Sequence, residues 1–148
     1  MVAGYRNPVA LDSRQQGGGN IDAQFQLRES SFRPLICEVS LGEIEALARD
    51  NRWGPEKQTA LKKLKRELVA VDISDTRVVD DAYASFSSLA RASGWLIFDD
   101  KNDLWIAAAT HVSGATLLTT DSAAFKPFRA GKHLGVVLID PHTGVQQP

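Results

Sequence analysis

The stretch from residue 101 to residue 121 decides the fold of this 148-residue chain; it reads KNDLWIAAATHV, then SGA, then TLLTTD. Its first part is a run of apolar helix formers, so we predict a mostly buried helix over Lys101–Val112. Gly114 is placed to end that helix. Residues 116–120 are β-branched and apolar, as in a buried strand of a parallel sheet. The stretch therefore predicts a helix followed by a buried strand, which is the repeating unit of an α/β fold.

This unit carries an aspartate near the start of its helix and another after its strand. Asp103 falls in the first turn of the helix, and Asp121 directly follows the strand. In open α/β sheets, ligands bind just beyond the C-terminal ends of the strands, where the following helices begin. Each aspartate also has a structural explanation, because Asp103 suits the positive end of a helix and Asp121 can cap a turn beginning at Ser122.

Length and composition limit the classes of protein that fit. A chain of 148 residues with 43% hydrophobic and 24% charged residues is typical of one globular domain. The net charge of −1 argues against bulk electrostatic capture of nucleic acid, although a local basic face stays compatible with it. The single cysteine, Cys37, excludes an internal disulfide and is interpreted as buried filler. No apolar run reaches the roughly 18 residues needed to span a bilayer. The N-terminus also lacks the basic start and apolar middle of a signal peptide, so we expect a cytoplasmic protein.

Strands and helices alternate along the rest of the chain. This alternation predicts a mainly parallel sheet with helices on both faces, a three-layer α/β/α sandwich that forms a single domain over 1–148. A flexible glycine-rich loop is predicted near 14–20 and a loose tail from 141. The further predicted strands are 9–11, 35–39, 69–73 and 136–139, and the further predicted helices are 21–27, 40–50, 56–68 and 78–93.

A third acid, Glu43, belongs to the start of the predicted helix 40–50. Ser40 and Glu43 have the spacing of a capping box, which is a sufficient structural reason for the glutamate. Glu43, Asp103 and Asp121 nevertheless all fall where a helix begins or a strand ends, and in a parallel sheet those places share one edge. Clustered carboxylates repel one another unless a cation neutralises them. Oxygen ligands without histidine or thiolate suit Mg²⁺ or Mn²⁺.

The predicted helix 56–68 carries a basic surface beside its apolar stripe. Its cations are Lys57, Lys62, Lys63, Lys65 and Arg66. Such a surface is usually just the solvated side of a helix, and contact with RNA would require a groove beside it.

The motifs Asn-Asp-Leu-Trp-Ile-Ala-Ala (102–108) and Gly-Ala-Thr-Leu-Leu-Thr-Thr-Asp (114–121) resemble the C-terminal half of PIN-domain ribonucleases, especially the VapC-type toxins of type II toxin–antitoxin systems. The resemblance covers roughly 21–140. It implies a PIN-like fold, hydrolysis of RNA phosphodiester bonds with Mg²⁺ or Mn²⁺, and a small antitoxin as partner, with a homodimer left open. It places metal-binding and catalytic roles on Glu43, Asp103 and Asp121.

The first acid of the family is where this chain departs from the pattern. Val-Ala-Leu-Asp12-Ser looks like the family's first strand and its acid, so Asp12 is the fourth predicted metal-binding and catalytic residue. The family then continues as an apolar helix, whereas a glycine-rich loop follows here. An alternative register puts the first strand at the extreme N-terminus, with Gly4 in the acid's place. Asp99 and Asp100 are then substitutes.

Two other functions compete with the metal-dependent endoribonuclease. A catalytically degenerate PIN-like domain, kept for binding or regulation, is favoured by the missing helix after Asp12. A phospho-receiver domain is suggested by the apolar run that ends in Asp99 and Asp100. Receivers carry such a pair near the start of the fold, whereas here it lies near the end, so this alternative is rejected.

Overall fold

A parallel sheet forms the centre of the structure, a computed structural model that describes residues 3–6, 24–25, 33–94 and 101–148. Within these ranges the sheet has five strands, in the order β3-β2-β1-β4-β5, and every pairing is parallel. The strands are β1 (Ala3–Arg6), β2 (Leu35–Cys37), β3 (Val69–Val71), β4 (Thr116–Thr119) and β5 (Gly135–Leu138). The prediction of a mainly parallel sheet is confirmed.

Helices connect these strands and lie on both faces of the sheet. They are α1 (Glu38–Asp50), α2 (Pro55–Glu67), a π-helix (Arg77–Tyr83) that continues as α3 (Ala84–Ala92), α4 (Lys101–Val112) and α5 (Ser122–Ala130). Gln24 and Phe25 are also helical, and the rest of the predicted helix 21–27 lies outside the described residues.

Two apolar clusters, one on each side of the sheet, hold the layers together. Ile36 belongs to a cluster with residues of α1 and α2, whereas its neighbour Cys37 belongs to the cluster that contains the π-helix and α3, α4 and α5. Successive side chains of a strand point to opposite faces, so this division shows that β2 is covered on both sides. The predicted three-layer α/β/α sandwich is confirmed.

Helix α4 is the most deeply buried helix of the structure. Residues 106–110 are all buried, and Ala107 and Ala108 have no exposed surface. Small side chains let the π-helix and the central strands approach closely, which accounts for burial along almost the whole helix. The chain leaves α4 through Gly114, whose φ of 61° lies in the left-handed region that favours glycine. Both the helix bounds and the role of Gly114 agree with the prediction.

The start of α1 differs from the prediction. The helix begins at Glu38 after Cys37, an N-cap that makes no side-chain hydrogen bond, so Ser40 lies inside the helix and the predicted capping box is wrong. Ser40 is 3% exposed, and its Oγ has no hydrogen-bond partner within the described residues. Glu38 supplies negative charge at the first turn instead. Glu43 therefore needs another explanation than capping.

The N-terminal strand and the C-terminal tail also need correction. Strand β1 occupies the place beside β4, with Gly4 opposite Leu117, and β5 occupies the other side of β4. The described first strand is thus at the extreme N-terminus, as in the alternative register, and the predicted strand 9–11 with Asp12 lies outside the described ranges. The tail from 141 folds back on β5, since the N–H of Gln147 donates to the Leu138 carbonyl at 2.7 Å. The expectation of a loose tail is wrong as well.

Two glycines test this account of the backbone. We expect Gly114→Ala to lower the free energy of unfolding by about 1–2 kcal/mol, because its φ is positive although a Cβ would meet no atom within 4 Å. Gly42→Ala is the control, since Gly42 lies inside α1 with equally open space. It should raise stability by about 0.5–1 kcal/mol. Urea unfolding measures both; equal effects of the two substitutions would contradict the account.

Candidate active site at the C-terminal edge of the sheet

The strand order locates a crevice at the C-terminal edge of the sheet. From β1 the chain adds β2 and β3 on one side and later β4 and β5 on the other side. The direction of strand addition thus changes between β1 and β4, and ligands of open α/β sheets bind beyond the strand ends at such a point. Asp121, which lies two residues after the end of β4, is at this place.

Asp121 caps the helix that follows β4. Its Oδ1 accepts a hydrogen bond from the Ala124 N–H at 2.9 Å, and its own N–H donates to Thr119 Oγ1 at 3.1 Å. The capping role suggested by the sequence is therefore confirmed. A carboxylate offers about four acceptor positions, so capping is compatible with a second role toward a cation.

Asp103 is buried at the start of α4. Its residue is 4% exposed, and it lies between the half-buried Asn102 and the buried Leu104. The positive end of a helix stabilises an anion by about 0.3–1 kcal/mol, or about 2 kcal/mol in a favourable partly buried place. The cost of burying an ionised carboxylate is several kcal/mol. The helix end therefore offsets only part of this cost, and the rest has to come from hydrogen bonds, ion pairs or a bound cation.

Glu43 is tied to the same region by a hydrogen bond between helices. Asn102 Nδ2 donates to Glu43 Oε1 at 3.0 Å across a separation of 59 residues. The bond joins the second turn of α1 to the first turn of α4. Because Asn102 directly precedes Asp103, the bond holds the carboxylate of Glu43 near the part of α4 that carries Asp103. Asn102 thus positions Glu43, a role that the sequence analysis missed. Its only sequence signal was its place next to Asp103.

The three described acids lie at one edge of the sheet. Helix α4 is 12 residues long, about 18 Å, and its C-terminal end leads directly to the start of β4. Its N-terminal end, with Asp103, is therefore carried to the end of the sheet where β4 finishes and Asp121 begins α5. Glu43 reaches the same end through Asn102. This agrees with the predicted common edge.

The donors suit a hard divalent cation in kind, but they do not form a ready-made cage. Among the described residues, no group of three or more His, Cys, Asp or Glu side chains is close enough together to hold a metal ion. Carboxylate and amide oxygens are the ligands that Mg²⁺ and Mn²⁺ take. Mg²⁺ is usually held through one or two carboxylates and several waters, so acids spaced along one edge fit this mode. Asp12, Asp99 and Asp100 lie outside the described residues.

Other reactive side chains of the described chain do not join the site. Burial raises the pKa of the Cys37 thiol, which supports its interpretation as filler of the core. His111 is exposed at the C-terminal end of α4. Its ring contacts the ring of Phe86 edge-on, with 5.4 Å between the ring centroids. Trp105 stacks on Tyr83 of the π-helix, with 4.1 Å between ring centroids, which fixes α4 against that helix.

Comparison with known proteins gives a match among solved structures. No protein-family profile matches the chain, and no curated protein sequence matches it. A chain in the crystal structure of VapBC2 from Rickettsia felis bound to a DNA fragment from their promoter matches 92% of this chain and 97% of that chain. The TM-score is 0.73 at 18% sequence identity.

The fold resembles that of this VapBC2 chain. At this identity the likeness concerns the fold, and it confirms the predicted PIN-like α/β architecture. Sequence motifs identified Asp103 and Asp121 as candidate site residues. In the structure both lie at the C-terminal edge of the sheet.

The two roles of Asp121 can be separated by substitution. We expect Asp121→Ala to lower the free energy of unfolding by about 1 kcal/mol, because the cap of α5 is lost. Asp121→Asn should stay within about 0.5 kcal/mol of the wild type, because asparagine is an equally good N-cap. Urea denaturation measures both variants. A loss for the asparagine variant as large as that for alanine would show that the charge, rather than the cap, stabilises this corner.

Proposed function

We propose that this protein is an endoribonuclease that hydrolyses RNA phosphodiester bonds with Mg²⁺ or Mn²⁺, and that it is the toxin of a toxin–antitoxin pair. The observation that carries the proposal is the burial of Asp103 at the C-terminal edge of a PIN-like sheet, in the first turn of α4. Asp103 is 4% exposed as a residue, and a carboxylate in such a place has to be hydrogen-bonded, paired or bound to a cation; we assign it to a cation.

Each acid is assigned a task by its surroundings. Asp103 and Asp121 would hold the ion, Glu43 would complete the set, and Asn102 keeps the Glu43 carboxylate turned toward α4. Asp12 is the fourth proposed ligand. A divalent ion in such a site orients and acidifies a water and stabilises charge on the phosphate. The positive ends of α4 and α5 point to the same edge and favour an anionic substrate there.

The proposed partner is a small antitoxin that covers the acidic edge. Support comes from the VapBC2 neighbour, whose structure is that of a complex bound to promoter DNA. None of the helices in the described part of the chain has the length and apolarity needed to cross a membrane. With one buried cysteine, a cytoplasmic site of action is the matching proposal.

A catalytically degenerate PIN-like domain is the second candidate. It is favoured by the composition of β1, which contains no acid, and by the absence of a ready-made set of three ligands among the described residues. Such a domain would bind a partner without cleaving RNA.

Asp103→Asn tests the proposed mechanism most directly. We expect the variant to lose Mg²⁺- or Mn²⁺-dependent cleavage of RNA while its free energy of unfolding without metal does not fall, because a buried charge is replaced by a neutral isostere. Mn²⁺ at about a hundredfold excess over its Kd should stabilise the wild type by about 2.7 kcal/mol and leave the variant unchanged. Cleavage assays and metal-dependent thermal unfolding measure the two effects.

Asp50→Asn is the matched control, since Asp50 is an exposed acid at the opposite end of α1. It should retain both cleavage and stabilisation by Mn²⁺. Undiminished cleavage by the Asp103 variant, or cleavage by the wild type in excess chelator, would reject the metal mechanism. Mn²⁺ stabilisation without any cleavage would favour the degenerate domain.

Asp12→Ala tests the fourth acid. We expect the metal-dependent rate to fall at least about tenfold, which corresponds to about 1.4 kcal/mol of barrier. Single-turnover cleavage measures the rate without a contribution from product release. An unchanged rate would remove Asp12 from the site and leave Glu43, Asp103 and Asp121 as its acids.

A further inference from the structure

Positive charge is concentrated in one short segment of a chain that is acidic elsewhere. Residues 49–66 contain seven of the 17 Lys and Arg residues but only two of the 18 Asp and Glu residues. The remaining residues therefore carry ten basic and 16 acidic side chains. A net charge of −1 thus hides a strongly basic surface formed by the end of α1 and by α2.

A groove lies between α1 and α2 within this segment; we call it the basic groove. Its floor is apolar and formed by Ala48 and Leu61, and it has a volume of about 380 Å³. The other residues that line it are Glu45, Arg49, Arg52, Gln58 and Lys62. The α1 members are spaced three and four residues apart, so they share one side of the helix. The sequence analysis required a groove beside the basic surface of the predicted helix 56–68 for contact with RNA, and the structure contains one.

The acid of the basic groove, Glu45, is paired with Lys65, and the charges of Arg49 and Lys62 also act on it. Lys65 Nζ lies 2.7 Å from Glu45 Oε1, and this hydrogen bond lowers the pKa of the Glu45 carboxyl. In the described ranges, no ion pair or side-chain hydrogen bond engages Arg49, Arg52 or Lys62, and all three are exposed. The groove therefore presents three cations to solvent.

Arg52 has a backbone conformation that would suit glycine better. Its φ is 47°, at the position just beyond α1 where the N–H of Trp53 donates to the Ala48 carbonyl at 2.9 Å. Glycine takes this left-handed place after a helix at no steric cost, whereas other residues pay for it. The side chain of Arg52 lines the basic groove.

We propose that the basic groove binds the phosphate backbone of single-stranded RNA. This rests on the proposed function, and it adds a binding surface distinct from the acids of the site. Arginine and lysine along an open groove are the usual means of following a nucleic-acid backbone. A protein segment would instead favour a contact centre depleted of charge and supplied with apolar anchors. The rim of the basic groove instead carries the charged groups of Arg49, Arg52 and Lys62, which favours RNA over a protein segment.

The basic groove lies on the other side of α1 from the candidate active site. Glu43 and Glu45 are two residues apart and so point about 200° away from each other around the helix. Glu43 accepts from Asn102 of α4, whereas Glu45 pairs with Lys65 of α2. The groove would therefore hold RNA that flanks the scissile phosphate, so it should contribute to affinity and leave the chemical step unchanged.

The test combines Arg49→Gln, Arg52→Gln and Lys62→Gln, each of which keeps a long polar side chain. Binding of a labelled mixed-sequence RNA of about 16 nucleotides is measured in chelator, on an Asp103→Asn background, so that binding is read without cleavage. We expect Kd to rise at least about tenfold, and the slope of log K against log salt to become shallower by about two, at about 0.7 per phosphate contact.

The matched control removes three exposed cations elsewhere, through Arg91→Gln, Lys126→Gln and Lys132→Gln. It changes net charge equally, and its Kd should stay within about twofold if the effect belongs to the groove rather than to bulk charge. In the cleavage-competent protein, the groove variant should show a raised KM with kcat within about twofold.

Arg52→Gly provides a second variant whose two effects have opposite signs. It should raise the midpoint of urea unfolding, because glycine accepts the positive φ, and yet weaken RNA binding. A purely structural role of Arg52 would move stability alone.

Equal RNA affinity of the wild type and the triple variant, or an equal loss in the control, would overturn the proposal. Binding of a polyglutamate peptide that is lost in the triple variant, with RNA binding retained, would also overturn it and indicate an acidic protein segment. Failure of the wild type to cleave RNA with Mg²⁺ or Mn²⁺, with groove-dependent RNA binding intact, would reject the proposed nuclease activity and leave the groove proposal standing.

Discussion

Parallel strands can be joined only by connections that return the chain to the edge where it started, and this constraint organises the whole molecule. All five described strands run in one direction, so the helices between them must run back and present their N-terminal ends at the edge where the strands finish. Asp103 lies in the first turn of α4 there, Asp121 caps α5 there, and Asn102 brings Glu43 to the same place. The position of the acids is thus a consequence of topology, and it is maintained by the burial of α4 along its length.

The two aspartates show how the same residue acquires different roles from its surroundings. Asp121 is half-buried and accepts the N–H of Ala124, so part of its contribution is to the stability of α5. Asp103 is nearly enclosed, and the end of a helix stabilises it by less than burial costs. The strongest case for a metal ligand therefore rests on Asp103, and the basic groove lies on the other side of α1.

The sequence predicted those features that depend on neighbouring residues. The apolar run and Gly114 fixed the bounds of α4, and the alternation of elements predicted the three layers. The capping-box prediction was wrong because Ser40, although it has Glu43 three residues later, lies inside a helix that already begins at Glu38. The prediction of a loose tail was wrong because the tail forms a backbone hydrogen bond with β5, and composition does not reveal such a bond. The Asn102–Glu43 bond and the basic groove join residues on separate elements, so only the folded chain could show them.

The central claim is that the buried Asp103 belongs to a divalent-metal site at the C-terminal edge. Crystals grown with Mn²⁺ and measured at the manganese absorption edge test it without any assumption about the RNA. The account predicts one anomalous peak at the edge between β1 and β4, within about 2–2.5 Å of carboxylate oxygens that include Asp103. The peak should be absent from crystals of Asp103→Asn. No peak at this edge with saturating Mn²⁺, or a peak that persists in that variant, would contradict the claim.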